Sequence, residues 1–288
     1  MKSKSIFVLF SLALFFSCKK DNENTYQPKL IVKLVVDSTQ VRLGNIGDTV
    51  GIPAGHAAQH PRFNKISAHY LELAPGPYTL LGQGAILYHA PETSIGGSTA
   101  IDFNRSRVVA PGEVFLELPL NEVPMGNFEW VRLSLSYQNY DVDYSFNGLP
   151  LTGTIASFVG YNTYLTSYTI DSQQVSVNGN RLQGYWGFET NGIVSSGQAP
   201  PGATTVPNPL FNSSPIPQGS CVVTGQFVTP LRITGTETED ITVTMSLSIN
   251  NSFEWIDANG NGRWDAHIGG AESVVDMGLR GLIPSHNR

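Results

Sequence analysis

From Leu30 onward the chain is built of short apolar, β-branched runs, and no stretch of twelve residues carries a convincing 3.6-residue apolar stripe. That argues against helix-based folds, because a helix packed on a core repeats its apolar residues at i, i+3, i+4 and i+7. The clearest run, Phe128 to Tyr137, alternates instead. Trp130, Arg132, Ser134 and Ser136 fall on one face and Val131, Leu133, Leu135 and Tyr137 on the other, which predicts a strand with one buried face. Leu30 to Val36, Ile66 to Leu73, Val114 to Leu120, Val222 to Phe227, Leu231 to Thr234 and Asp240 to Ile249 read as further strands. Between Gln174–Val177 and Arg181–Trp186 stands Asn178-Gly179-Asn180, where Asn-Gly supplies the positive φ angles of a tight turn and predicts a hairpin. The nearest approach to a helix, Ala54 to Lys65, contains Gly55 and Pro61 and has room for one short helix at most.

Many short strands divided by Gly, Pro, Asn and Ser turns predict an all-β chain, an antiparallel β-sandwich with long loops and little helix. Residues 193 to 220 interrupt the rhythm with nine Gly and Pro residues, among them Pro200, Pro201, Pro207 and Pro209. This is either a long surface loop or a linker between two β-modules. The tail beyond it is short and has no independent core, so residues 29–288 are read as one β-sandwich domain with a long loop. No internal repeat at a fixed period points to a propeller or solenoid.

The N-terminus supplies an address. Lys2 and Lys4 precede an apolar run from Ile6 to Phe16 that stops at Ser17-Cys18. A basic segment, a short apolar segment and a small residue at the cut describe a secretory signal, and the run is too short to span a bilayer. The cysteine directly after Ser17 makes residues 1–17 resemble a bacterial lipoprotein signal peptide, which implies that Cys18 is lipidated and anchors the chain to a membrane. Residues 18–28 are mostly polar and read as a flexible tether. The Lys19-Lys20-Asp21-Asn22-Glu23 cluster resembles the export signal of Bacteroidetes surface lipoproteins, implying an outer-membrane protein exposed on the cell surface. A solvated linker on a periplasm-facing lipoprotein is the alternative.

Charge excludes one class of partner. Without Lys2 and Lys4, 15 basic residues face 23 acidic ones, a mature charge near −8, and the basic residues form no stripe. Nucleic acid is therefore not an expected partner. Of two cysteines one is Cys18, which the lipoprotein resemblance assigns to the lipid, so no disulfide partner is expected for Cys221; lying in the apolar run Cys221-Val222-Val223, it reads as a buried small hydrophobe.

The segment Asp257-Ala258-Asn259-Gly260-Asn261-Gly262-Arg263-Trp264-Asp265 has oxygen side chains at loop positions 1, 3, 5 and 9 and Gly at position 6. It resembles calcium loops of the D-x-[DN]-x-[DN]-G type, which implies that Asp257, Asn259, Asn261, the Arg263 carbonyl and Asp265 surround a calcium ion. Position 12 of the loop is Ile268 rather than Glu, and Glu272, past Gly269 and Gly270, is the candidate final acid. A strand rather than a helix enters the loop, as in calcium loops set within extracellular β-proteins. The ion expected there is structural; an Asn/Gly-rich turn without metal is the alternative.

His56, His60, His69 and His89 are the second candidate set, because imidazole clusters bind copper or zinc and Glu92 is close in sequence. The His56/His60 spacing of i,i+4 would share a helix face, although Pro61 opposes a helix there. The segment Phe63-Asn64-Lys65-Ile66-Ser67-Ala68-His69-Tyr70-Leu71-Glu72-Leu73, following the Lys29–Val36 run, is distantly similar to MbnP-like domains over residues 29–150. That resemblance implies a secreted β-rich protein, copper-associated in some members, but gives no residue-by-residue copper ligands.

Catalytic motifs are absent from the sequence: it holds no Gly-x-Ser-x-Gly, His-Glu-x-x-His or phosphate-cradling Gly loop. Glu113, Glu117, Glu122 and Glu129 are the carboxylates a glycan-active hydrolase could pair. Trp130, Tyr137, Tyr140, Tyr144, Tyr185 and Trp186 are either a carbohydrate platform or core aromatics. The expected function is a lipid-anchored cell-envelope binding protein with a structural calcium loop and a glycan or envelope protein as partner. A copper-associated MbnP-like protein and a glycan-active hydrolase are the alternatives.

Overall fold

Period-2 alternation becomes strand almost everywhere. The computed structural model describes residues 26–43, 48–199 and 214–288; it is 60% strand and 2% helix, with no helix of seven residues or more. The all-β sandwich expected from the alternation is the observed class. Residues 1–17, Cys18 and the tether up to Thr25 lie outside the described residues.

The strand Gly126–Phe146 is the spine. Arg62–Ala74 pairs antiparallel along one edge of it. The other edge takes Cys221–Ile233 at its N-terminal half and Leu149–Phe158 at its C-terminal half, both antiparallel. Against this large sheet lies a four-stranded one in the order Arg280–His286, Ile241–Ser248, Lys29–Asp37, Val114–Pro119. Its centre is a parallel pair, Lys29–Asp37 with Ile241–Ser248, a departure from pure antiparallel pairing. Leu30, Val32, Leu34, Val243, Met245 and Leu247 on one sheet and Leu71, Leu73, Val131, Leu133, Leu135 and Val223 on the other form one buried cluster. Each such side chain contributes about 1.5–3 kcal/mol on burial.

The C-terminal half of the spine leaves that sandwich and is covered on both faces. On one, the sheet carrying Asn162–Thr169 and Gln174–Leu182 encloses Tyr137, Phe158, Leu165, Tyr168 and Tyr185. On the other, His56–Gln59, Phe253–Ile256 and Val274–Met277 form a three-stranded sheet over Tyr140, Val142 and Ile155. The expectation of one buried face on the spine therefore fails. Arg132, Ser134 and Ser136 are buried along with Val131, Leu133 and Leu135, because a second layer covers the polar face: Leu81 and Ile216 pack there with Tyr70 and Val222.

Glu72 ties the 75–84 loop to that face. Its Oε1 accepts the Gly84 N–H at 2.6 Å and its Oε2 the Gly82 N–H at 2.9 Å and the Tyr70 hydroxyl at 3.0 Å. Arg132 lies 4.0 Å from Oε1 and donates to the Thr79 carbonyl. A Cβ at Gly84 would stand 2.2 Å from the Leu73 carbonyl oxygen, so Gly84→Ala is expected to lower Tm measurably, read by circular dichroism.

Asn-Gly pairs divide by context. Asn147-Gly148 (φ 49° and 84°) and Asn191-Gly192 (φ 51° and 79°) make the tight turns of Gly126–Phe146 with Leu149–Phe158 and of Tyr185–Thr190 with Ile193–Gln198. The hairpin expected at Asn178-Gly179 is not one. Gln174–Leu182 runs through as a single strand, and the left-handed Asn178 sits where its pairing with Asn162–Thr169 slips register. The chain turns instead at Gly184 (φ 85°) and passes to another sheet. Of the Gly/Pro-rich stretch 193–220, Ile193–Gln198 is a paired strand, and residues 200–213 lie outside the described residues. The two runs Val222 to Phe227 and Leu231 to Thr234 are one strand, Cys221–Ile233, whose register breaks between Gln226 and Leu231 around Pro230, which has no N–H to donate. No helix forms in 54–65; His56–Gln59 is a strand. Cys221 is buried in the core and burial pushes its thiol up to about 12, as expected of an inert hydrophobe.

Candidate metal centres

The Asp/Asn loop follows Phe253–Ile256, whose Phe253 and Trp255 are fully buried against Tyr140 and Val142. The side chains are held in a connected ring. Asp257 accepts the Asn261 N–H at 3.2 Å and the Gly262 N–H at 2.8 Å; Asn259 Oδ1 accepts the Asn261 N–H at 3.0 Å; Asn261 Oδ1 accepts the Arg263 N–H at 2.8 Å. One oxygen of Asp265 takes both amides, from Asn259 at 2.7 Å and Asn261 at 2.6 Å. These bonds hold the Asp265 carboxyl below the usual carboxylate range. Gly260 and Gly262, both at φ 71°, give the sharp curl.

Glu272 meets the loop through the backbone: its two oxygens accept the N–H groups of Ala258 at 2.8 Å and Asp265 at 3.0 Å. The Arg263 carbonyl accepts the Trp255 indole N–H at 3.1 Å. A carbonyl oxygen has two lone pairs, so that bond leaves one free. The loop closes onto the spine, with Ser145 N–H donating to the Trp264 carbonyl at 2.9 Å and Asp265 in register with Ser145.

Trp264 stands at the margin of two clefts. One of about 660 Å³ runs past Asp143, Thr152 and Arg263; the other, of about 600 Å³, is lined by Trp186, Phe188, Glu272 and Met277. Trp264 also packs against Phe253 and Phe188 with ring centroids 5.0 and 5.8 Å apart.

The histidines separate into two places. His69, on Arg62–Ala74, and His89, ending Ala85–His89, are brought together by the antiparallel pairing of those strands. Their Nε2 atoms are 3.1 Å apart. Glu92 Oε1 lies 3.0 Å from His69 Nε2 and 3.4 Å from His89 Nε2, and accepts the Tyr161 hydroxyl at 2.9 Å. Burial pushes the His69 imidazole below its ordinary range, against the pull of Glu92. The bond from His69 holds the Glu92 carboxyl down at about 2, opposed by burial and aided by Tyr161. Burial and Glu92 together raise the Tyr161 phenol.

His56 and His60 do not join them. His56 Nδ1 is 2.6 Å from Glu254 Oε1, beside the buried Arg42–Glu254 ion pair, and His60 Nδ1 accepts the Asn251 N–H at 2.7 Å. The expected four-histidine set is thus a pair plus a carboxylate, because a strand rather than a helix carries His56. Reading the Pro75-Gly76-Pro77 turn as a hairpin loop would have placed His69 against His89, and His89-Ala90-Pro91-Glu92 then brings the acid.

No protein-family model, curated protein or solved structure matches this chain.

The aromatic platform is not assembled as such. Tyr137, Tyr140, Tyr144 and Tyr185 are buried, and of the six only Tyr144 and Trp186 line a cleft beside Trp264. The four glutamates are spent elsewhere or stand outside these clefts. Glu113 accepts the Ala110 N–H, Glu117 pairs with Lys29, and neither Glu122 nor Glu129 lines a cleft at Trp264.

Proposed function

We propose that this chain is a lipid-anchored cell-envelope binding protein whose C-terminal loop holds calcium as a structural ion. The observation that carries the reading is the ring formed by Asp257, Asn259, Asn261 and Asp265, with Glu272 bonded to both ends of the same loop. Two carboxylates, two amide oxygens and one carbonyl within nine residues suit a hard cation, which takes six to eight oxygens. Calcium replaces the amide contacts on Asp265 with ion contacts and neutralises the loop's two acids.

The ion's work is on Trp264. That ring lies within the loop and at the margin of both clefts, so a loop held by calcium presents a fixed binding surface, and a loosened one does not. A glycan or an envelope protein is the partner this surface suits, since aromatic walls with polar neighbours bind both. The Ser17-Cys18 junction and the polar tether support anchoring at the outer membrane with this surface facing outward.

Thermal melting of the full chain in detergent tests the calcium reading. With a dissociation constant near 10⁻⁴ M, as in extracellular modules, 1 mM calcium stabilises by about 1.4 kcal/mol and raises Tm by roughly 3–5 °C. Asp257→Ala together with Asp265→Ala is expected to remove that rise. Equal calcium shifts in the variant and the parent would overturn the assignment.

A further inference from the structure

We propose that His69, His89 and Glu92 form a second metal centre, for a borderline divalent ion, zinc or copper(II), separate from the calcium loop. Among the described residues these three are the one group of three or more His, Cys, Asp or Glu side chains whose ligand atoms all lie within 4.8 Å of one another.

The spacing fits the ion. Ligands about 2.0–2.1 Å from a tetrahedral centre lie about 3.3 Å from one another, and the three separations here are 3.0, 3.1 and 3.4 Å. Protons satisfy this triangle poorly. A proton on His69 Nε2 serves either His89 or Glu92 well, and protons on both Nε2 atoms would meet across 3.1 Å. A cation at the centre satisfies all three lone pairs at once.

The fold aims these groups. Pairing of Arg62–Ala74 with the spine is irregular here, passing from Ser67 opposite Tyr137 to Ala68 opposite Leu135 and Tyr70 opposite Ser134, so His69 has no ladder partner on the spine. The Ala90 N–H donates to the His69 carbonyl at 2.7 Å, which fixes the chain between His89 and Glu92. Tyr161 donates to Glu92 and orients it, the kind of outer contact that metal-binding carboxylates carry.

Access and charge also suit an ion. His69 is fully buried, while His89 and Glu92 keep 39% and 29% of their side-chain surface exposed, giving one rigid wall and an open approach. The nitrogens and the single carboxylate form a borderline donor set, without the thiolate or thioether that selects copper(I) and with too few oxygens for calcium. Three protein ligands leave a fourth position for water or a small anion.

Titration of the full chain in detergent with zinc chloride or copper(II) chloride, followed by elemental analysis, tests this. One ion per chain is expected, with copper showing two nitrogen couplings by electron paramagnetic resonance. The half-exposed His89→Gln and the carboxylate variant Glu92→Gln are each expected to weaken binding at least about 100-fold, with unchanged circular dichroism. His56→Ala and His60→Ala should leave affinity unchanged, as should Asp257→Ala with Asp265→Ala. Absence of stoichiometric zinc and copper binding in the parent would overturn the proposal, as would parental affinity in both His89→Gln and Glu92→Gln. Loss of binding in His56→Ala or His60→Ala would also overturn it, because the ligands would then lie in the wrong place.

Discussion

Trp255→Ala is expected to lower the unfolding free energy by about 3–5 kcal/mol, the usual range for truncating a fully buried aromatic. Trp255 is 1% exposed, in the cluster with Tyr140, Val142, Ile155 and Phe253 that holds the three-stranded sheet against the spine. Its indole N–H also donates to the Arg263 carbonyl, so it joins that core to the Asp257–Asp265 loop. Trp255→Phe keeps much of the volume and loses the donor, which should cost about 1 kcal/mol from the hydrogen bond plus a smaller packing loss. Chemical unfolding followed by circular dichroism reads both. If Trp255→Ala were no more destabilising than Trp255→Phe, the ring would not be the wedge that its burial implies. If the loop holds calcium as proposed, affinity for it should fall in both variants, because each releases the loop from its buried anchor.

Glu72→Ala is the second large effect, expected at about 3–5 kcal/mol. Glu72 is fully buried and accepts from Tyr70, Gly82 and Gly84, with Arg132 beside it. Removing the carboxylate leaves three donors without their partner and a buried guanidinium without its counter-charge. Burial already pushes the Arg132 guanidinium below its ordinary value, and Glu72 is what opposes that shift. Arg132→Leu added to Glu72→Ala should therefore cost less than the sum of the two single changes, as contacting residues in one network do. Strict additivity in urea unfolding would show that the two side chains do not act as a pair.

Strand identity was legible because period-2 alternation and β-branched runs act locally. Lys29–Asp37, Arg62–Ala74, Val114–Pro119 and Ile241–Ser248 begin and end within a few residues of where the pattern places them, although the Arg62–Ala74 strand begins four residues early. Strand extent was less legible. The spine runs on to Phe146, through Gln138, Asn139 and Asp141, which alternation alone does not mark as strand; pairing on both edges carries it through. Asn-Gly was ambiguous for the same reason. Asn147, Asn178 and Asn191 all adopt positive φ, but only the neighbouring strand decides whether that residue reverses the chain or makes a bulge.

The candidate sites divide along the same line. The Asp257–Asp265 loop is readable from sequence because its groups are consecutive, and the backbone needs only two glycines at positive φ to gather them. The His69, His89 and Glu92 cluster is not, because its members meet through the register of one hairpin, while the pairing of His56–Gln59 with Phe253–Ile256 takes His56 to Glu254. Which histidines are near one another is a property of strand pairing, and pairing is a long-range choice. Residue type and spacing therefore determined the all-β class, the buried Cys221 and the curled acidic loop. Tertiary structure decided the two-faced burial of the spine, the parallel pair at the centre of the small sheet, and the meeting of two imidazoles and a carboxylate at His69, His89 and Glu92. Short-range chemistry is written in the order of residues; which strand lies beside which is settled only when apolar faces from distant parts of the chain are buried together.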